Sequence, residues 1–139
     1  LNARRKPING SHVLVVGVAY KRDIDDIRES PSLDVMKVLE QKGARVSYTD
    51  PFVPTLAARA WGGTTDLTSL PLTPQTLAGV DCVAILTDHT SVDYTALAAA
   101  APLVVDSRNA IKGRHPHVFR LGAPPVADGS QARSAEEAA

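Results

Sequence analysis

Charged side chains crowd one segment of this chain. Residues 19–29 set Lys21, Arg22 and Arg28 among Asp23, Asp25, Asp26 and Glu29, with Tyr20 at the start. Lysine offers a compact positive charge, an aromatic ring a flat apolar face, and arginine a planar fork that matches phosphate oxygens. The carboxylates suit a loop that caps its own backbone, because their spacing lacks the glycine and distal glutamate of a calcium loop. Two further polar stretches, residues 87–90 and 107–109, carry Asp88, His89 and Arg108. His89 suits a structural role, with lining a cleft as the alternative. His115 and His117 flank Pro116 far from any ligand set, so they read as surface residues and not as zinc ligands. Cys82 stands inside an apolar run, where a thiol is usually inert, and reads as structural.

The elements that must position these residues follow from periodicity. Residues 12–18 are a continuous apolar run rich in β-branched side chains, the pattern of a strand buried on both faces. Ser30-Pro31 then starts a helix, with Ser30 as N-cap, Pro31 at the first helical position and Asp34 in the first turn. Leu33, Met36 and Leu39 form its apolar stripe, widened by Val35 and Val38. Lys42-Gly43 closes it. Strands are predicted at 44–48, 81–86 and 103–106, with a possible short one at 118–121. Helices are predicted at 54–61, at 75–78 behind the Thr73-Pro74 cap, and at 93–101. Residues 62–72 read as loop. Alternating strands and helices imply an α/β fold: an open, doubly wound parallel sheet (Rossmann-like) with helices on both faces. Ligands of such sheets sit beyond the carboxyl ends of the strands, where residues 19–29, 87–90 and 107–109 all fall.

Composition bounds the rest. The chain has 139 residues, of which 44% are hydrophobic and only 4% aromatic, so one domain with an aliphatic core is expected. Zero net charge argues against a nucleic-acid partner or an acidic membrane surface. A single cysteine permits no internal disulfide and points to a reducing, cytoplasmic setting. No apolar run reaches the roughly 18 to 20 residues of a membrane span. The chain begins with Leu1 and not Met, as a piece of a longer protein would. Residues 1–11 read as the lead-in from a missing N-terminal part, 12–121 as the folded domain, and 122–139 as a tail expected to be disordered.

The fifteen residues from Gly17 to Pro31 resemble the signature of the UDP-glucose/GDP-mannose dehydrogenase family, C-terminal domain. There a glycine, a small apolar pair, an aromatic and a lysine end the strand, followed by an acidic pair, an arginine and a Ser-Pro helix start. The likeness continues through Lys42-Gly43-Ala44-Arg45-Val46, Asp50-Pro51, Ile85-Leu86-Thr87-Asp88-His89 and Val104-Val105-Asp106-Ser107-Arg108-Asn109, covering about residues 11–113. The resemblance implies a nucleotide-sugar-binding domain of an enzyme that oxidises the sugar C6 alcohol of a nucleotide sugar to a carboxylate with two NAD in succession. It implies that NAD and the catalytic cysteine belong to an N-terminal part outside this chain, so Cys82 is not that nucleophile. The intact enzyme is then expected to be a homo-oligomer.

By the same resemblance Tyr20 and Lys21 touch the nucleotide sugar. The alternative is a solvated lysine capping a strand beside a packed tyrosine. Arg108 matches an arginine that binds the nucleotide sugar, in some members at a neighbouring subunit's site, against a plain surface arginine in a turn with Asn109. Asp106 would orient it or simply end the strand. Arg28 matches the arginine that reaches toward NAD; its alternative, compatible with the first, is an ion pair with Asp25, Asp26 or Glu29. Tyr at position 20 and the run Asp23 to Pro31 look most like bacterial enzymes acting on UDP-N-acetylhexosamines. The chief departure is at Gly17-Val18-Ala19-Tyr20, which is not the GxGxxG of a dinucleotide loop, so the chain should not bind NAD in that manner by itself. A stand-alone, non-catalytic nucleotide-sugar-binding module is the rival reading. A receiver-like domain is the third, with Asp88 a poor phosphorylation candidate.

Overall fold

A computed structural model describes residues 8–120. Residues 1–7 and 121–139 lie outside the described residues, and with them most of the expected lead-in and the expected disordered tail. β1 (His12–Val16), β2 (Arg45–Thr49), β5 (Cys82–Ile85), β6 (Val104–Asp106) and β7 (Val118–Arg120) form one sheet in the order β2-β1-β5-β6-β7. Every neighbouring pair is parallel, with Val13 opposite both Val46 and Cys82. Alternation decides what each strand buries. Val13 and Val15 face one core with Cys82 and Ala84, while Leu14 and Val16 face the other with Val83 and Ile85. Each Val, Leu or Ile side chain among them contributes about 1.5 to 3 kcal/mol when taken out of water.

The two cores put helices on both faces. α1 (Pro31–Gln41) and α2 (Ala58–Trp61) cover the first through Met36 and Trp61; α3 (Pro74–Ala78) and α4 (Tyr94–Ala100) cover the second through Leu77 and Leu97. The chain leaves β1 for β2 on one side and later returns to place β5 on the other. Winding thus reverses between β1 and β5, which opens a crevice at their carboxyl ends.

Three local expectations need correction. The stripe of α1 is narrower than its sequence suggests: Met36 is buried and Leu33 and Leu39 pack partly against the core, but Val35 and Val38 are 38% and 45% exposed on its flank. Ser30 occupies the N-cap position without capping; it is buried, and its hydroxyl donates to the Ala19 carbonyl at 3.4 Å, tying the helix start to the end of β1. Residues 54–72 hold more than a helix and a loop. β3 (Thr55–Leu56) pairs antiparallel with β4 (Leu67–Thr68) around α2, and Trp61, whose indole donates to Thr65, fills the space between. Strands of two residues are too short for any periodicity to declare. Thr73, in contrast, caps α3 as its position suggests, accepting from the Thr76 amide. Lys42 and Gly43 close α1, with Gly43 at φ 92.

Candidate functional site at the sheet switch point

Where β1 ends, the backbone turns through Gly17 at φ 87, so close to the neighbouring strand that a Cβ there would collide with the Thr87 carbonyl. The next two amides, Val18 and Ala19, both donate to the Asp50 carboxylate, at 2.8 and 3.2 Å. Asp50 lies buried at the end of β2 and also accepts from the Phe52 amide and from His89 Nε2, each at 2.8 Å. His89 has no exposed surface, and its Nδ1 accepts the Asp23 amide at 2.8 Å. A ring nitrogen that accepts carries no proton, so the imidazole holds its hydrogen on Nε2 and donates it to Asp50. His89 thus acts structurally, joining the loops after β1, β2 and β5.

On this base stands the loop of residues 19–29. Asp23, at φ 61, accepts from the amide and hydroxyl of Thr90, and those hydrogen bonds hold its carboxyl below the usual carboxylate range. The Tyr20 amide donates to Asp26. Arg28 closes its fork on the Asp26 carboxylate at 3.1 and 3.0 Å, which lowers the Asp26 pKa by hydrogen bonding; its side chain is nonetheless 87% exposed. Tyr20 is exposed, and Lys21 Nζ lies 5.6 Å from its ring centroid, within cation–π range.

The loop after β6 is built around Asp106. Its carboxylate, wholly buried, accepts from the amides of Arg108, Ala110 and Ile111 at 3.0, 3.1 and 2.8 Å. Asp106 therefore shapes the backbone that presents Arg108 and leaves the guanidinium itself to another partner. That partner is Asp88, after β5: Arg108 Nε lies 3.4 Å from Asp88 Oδ1. Arg22, from the loop after β1, reaches the same residue, with Nη2 2.6 Å from Oδ2 and Nε donating to the Asp88 carbonyl at 3.0 Å. This bond raises the Arg22 pKa further above its ordinary value. Arg22, Asp88, Arg108, Asn109 and Lys112 line a polar cleft of about 390 Å³.

The three polar segments singled out in the sequence do converge here, but not every residue singled out within them. Arg108 lines the cleft; Tyr20, Lys21 and Arg28 lie on the same loop as Arg22 without lining it. The sequence assigns neither Arg22 nor Lys112 to a site, and offers Asp88 only as a poor phosphorylation candidate. Charge adjoining Lys21 is visible in the sequence, but an ion pair between residues 66 positions apart is not. A larger groove of about 760 Å³ lies between the residues after β2 and the start of α4, lined by Pro54, Leu70, Leu72 and Val92 with Asp50 and Asp93 but no cation. That lining does not suit a phosphate. Cys82 is buried among aliphatic side chains, which pushes its thiol up to about 11 and leaves it protonated and inert at neutral pH. Among the described residues no group of His, Cys, Asp or Glu is placed to hold a metal, and no helix is long and apolar enough to cross a membrane.

Comparison with known proteins places this arrangement. A UDP-N-acetyl-D-mannosamine dehydrogenase of Methanococcus maripaludis is 35% identical over 79 residues, 55% of this chain and 16% of the relative. A UDP-glucose 6-dehydrogenase of Rhizobium meliloti is 33% identical over 107 residues, 73% of this chain and 24% of the relative. The solved UDP-D-ManNAc dehydrogenase of Pyrococcus horikoshii superposes with a TM-score of 0.62 at 25% identity, over 86% of this chain and 26% of that one. The chain thus spans about a quarter or less of the length of the relatives it matches. The sequence pattern described as "UDP-glucose/GDP-mannose dehydrogenase family, UDP binding domain" matches residues 14–113, which include all three loops at the switch point and every strand of the sheet except β7 and the first two residues of β1. This chain belongs to the UDP-glucose/GDP-mannose dehydrogenase family, and residues 14–113 are its UDP binding domain.

Proposed function

We propose that the chain is the nucleotide-sugar-binding part of a longer NAD-dependent dehydrogenase that oxidises the C6 alcohol of a UDP-sugar, a UDP-N-acetylhexosamine, to the uronate. The observation that carries the proposal is the convergence of three polar loops at the carboxyl ends of β1, β5 and β6, which brings Arg22, Arg108 and Lys112 to one cleft within a chain that matches the family's UDP binding domain. Lys21 and Arg108 meet the negative charge of the nucleotide sugar, and Tyr20 offers its exposed ring beside Lys21. Several of the similar proteins are named for UDP-N-acetyl-D-mannosamine and others for UDP-glucose; together they support a UDP-sugar, and the first group supports the N-acetylhexosamine.

NAD, bound by another domain, supplies the hydride acceptor. This chain's residues do not fit it as a complete site: the β1–α1 connection carries bulky charged side chains where a dinucleotide loop needs glycines. Arg28, with its exposed guanidinium, is this chain's contribution toward the cofactor's phosphates. The nucleophile of the reaction lies elsewhere, since Cys82 is sealed in the core. The intact enzyme works as a cytoplasmic homo-oligomer in this reading.

The test is turnover followed as NADH absorbance. The longer protein should release two NADH per UDP-sugar oxidised, and the 139-residue chain alone none. Turnover by the isolated chain overturns the division of labour. A longer protein that binds UDP-sugar without oxidising it indicates a non-catalytic binding module instead.

A further inference from the structure

We propose that Arg22 joins Arg108 in a two-guanidinium cradle for the diphosphate of the nucleotide ligand, held ready by Asp88 beneath them. This rests on the reading of the chain as a UDP binding domain and names a binding residue and a positioning residue within it. The burial is graded: the Asp88 side chain is only 11% exposed, whereas those of Arg22 and Arg108 are 58% and 51% exposed. Asp88 is therefore the floor, and the arginines stand between it and solvent. An incoming anion meets the guanidiniums first and need not displace the carboxylate.

Each guanidinium has donors to spare. Of five N–H groups, Arg22 directs Nε and one Nη2 hydrogen to residue 88, and Arg108 directs Nε there at a longer 3.4 Å. The remaining hydrogens of both forks are available to oxygens on the cleft side, where bidentate phosphate contacts are strongest. One carboxylate between two guanidiniums offsets their mutual repulsion yet leaves the cleft a net positive charge, to which Lys112 adds another. A diphosphate matches that surplus.

Arg22 is also held in place by its neighbours. Asp23 donates its amide to His89 and accepts from Thr90, so the loop after β1 is fastened to the loop after β5 directly beside the Arg22–Asp88 pair. Arg108 is presented by the buried Asp106. The two forks thus rest on three strand ends across the reversal of the sheet, and little ordering is left for the ligand to impose.

Calorimetric titration with inorganic pyrophosphate and, separately, UDP tests the cradle. The wild-type chain should bind both, and UDP more tightly. Arg22→Gln and Arg108→Gln should each weaken both ligands about tenfold, as expected for losing one charge-assisted contact, with Arg22→Lys intermediate because it keeps charge and loses the fork. Asp88→Asn should weaken both about threefold to fivefold through lost orientation, with the thermal midpoint of each variant recorded as a check on folding. Wild-type affinity in Arg22→Gln, or no pyrophosphate binding by the wild-type chain, overturns the cradle. Equal or tighter binding in Asp88→Asn overturns the positioning role. Should pyrophosphate behave as expected while UDP binds no better, the cradle stands and the UDP reading falls.

Discussion

Lys21 and Arg28 sit seven residues apart on one loop, and they differ in what already holds them. Arg28 is clamped by Asp26, whereas Lys21 leans over the Tyr20 ring close to the end of β1. In the longer protein, Lys21→Ala should weaken the nucleotide sugar more than Arg28→Ala, and Arg28→Ala should chiefly weaken NAD. Either loss should be about 1.5 to 3 kcal/mol, roughly ten- to a hundredfold in affinity, read by titrating each variant with each ligand. Asp23 and Asp26 add a pH dependence. Their folded-state pKa values lie below the ordinary 3.8, so their contribution to loop order is complete above that value and disappears as pH falls through the lowered ones. The Arg28 and Thr90 amide shifts should show an inflection below 3.8 as Asp26 and Asp23 take up their protons. Cys82, with its thiol pushed up to about 11, should resist thiol reagents at neutral pH until the chain is unfolded. At this scale the sequence is informative about residue type and weak on partnership. Arg108 could be named from its motif, but nothing in residues 22, 88 and 108 announces that one carboxylate serves two arginines.

Among the elements, those with strong end signals were the most legible. The Ser30-Pro31 start and the Lys42-Gly43 close frame α1, and unbroken apolar runs mark β1 and β5, because caps and buried parallel strands leave their chemistry in neighbouring residues. β3 and β4 left no such mark; two-residue strands are stabilised by Leu56 and Trp61 packing beneath them and not by their own pattern. Nor could the hydroxyl of Ser30 be assigned before the end of β1 was seen to need a donor at Ala19, a carbonyl that Thr87 also serves at 2.7 Å. The joints between elements carry the larger energies. Gly17→Ala forces a Cβ into Thr87 at a positive φ and should cost about 2 to 4 kcal/mol in denaturant unfolding. Asp50→Ala strands the Val18 and Ala19 amides and His89 Nε2 together, and should cost about 3 kcal/mol or more. Asp50→Asn, which keeps an acceptor oxygen, should cost less.

At the scale of the whole molecule, the strand order accounts for why these loops meet. Segments at 19–29, 87–90 and 107–112 are far apart in sequence, and only the order β2-β1-β5-β6-β7 sets their strand ends side by side. A parallel α/β sheet could be read from alternating apolar runs. The cleft's composition could not, since it depends on side chains from three loops. Under the proposed function, UDP binds at this switch point. The most direct measurement is amide chemical-shift mapping of the described residues as a UDP-sugar is titrated into the chain. Saturable shifts concentrated at residues 20–22, 88–90 and 108–112 are the predicted result. Shifts confined to the apolar groove around Leu70, Leu72 and Val92, or no saturable shift at millimolar ligand, would contradict it.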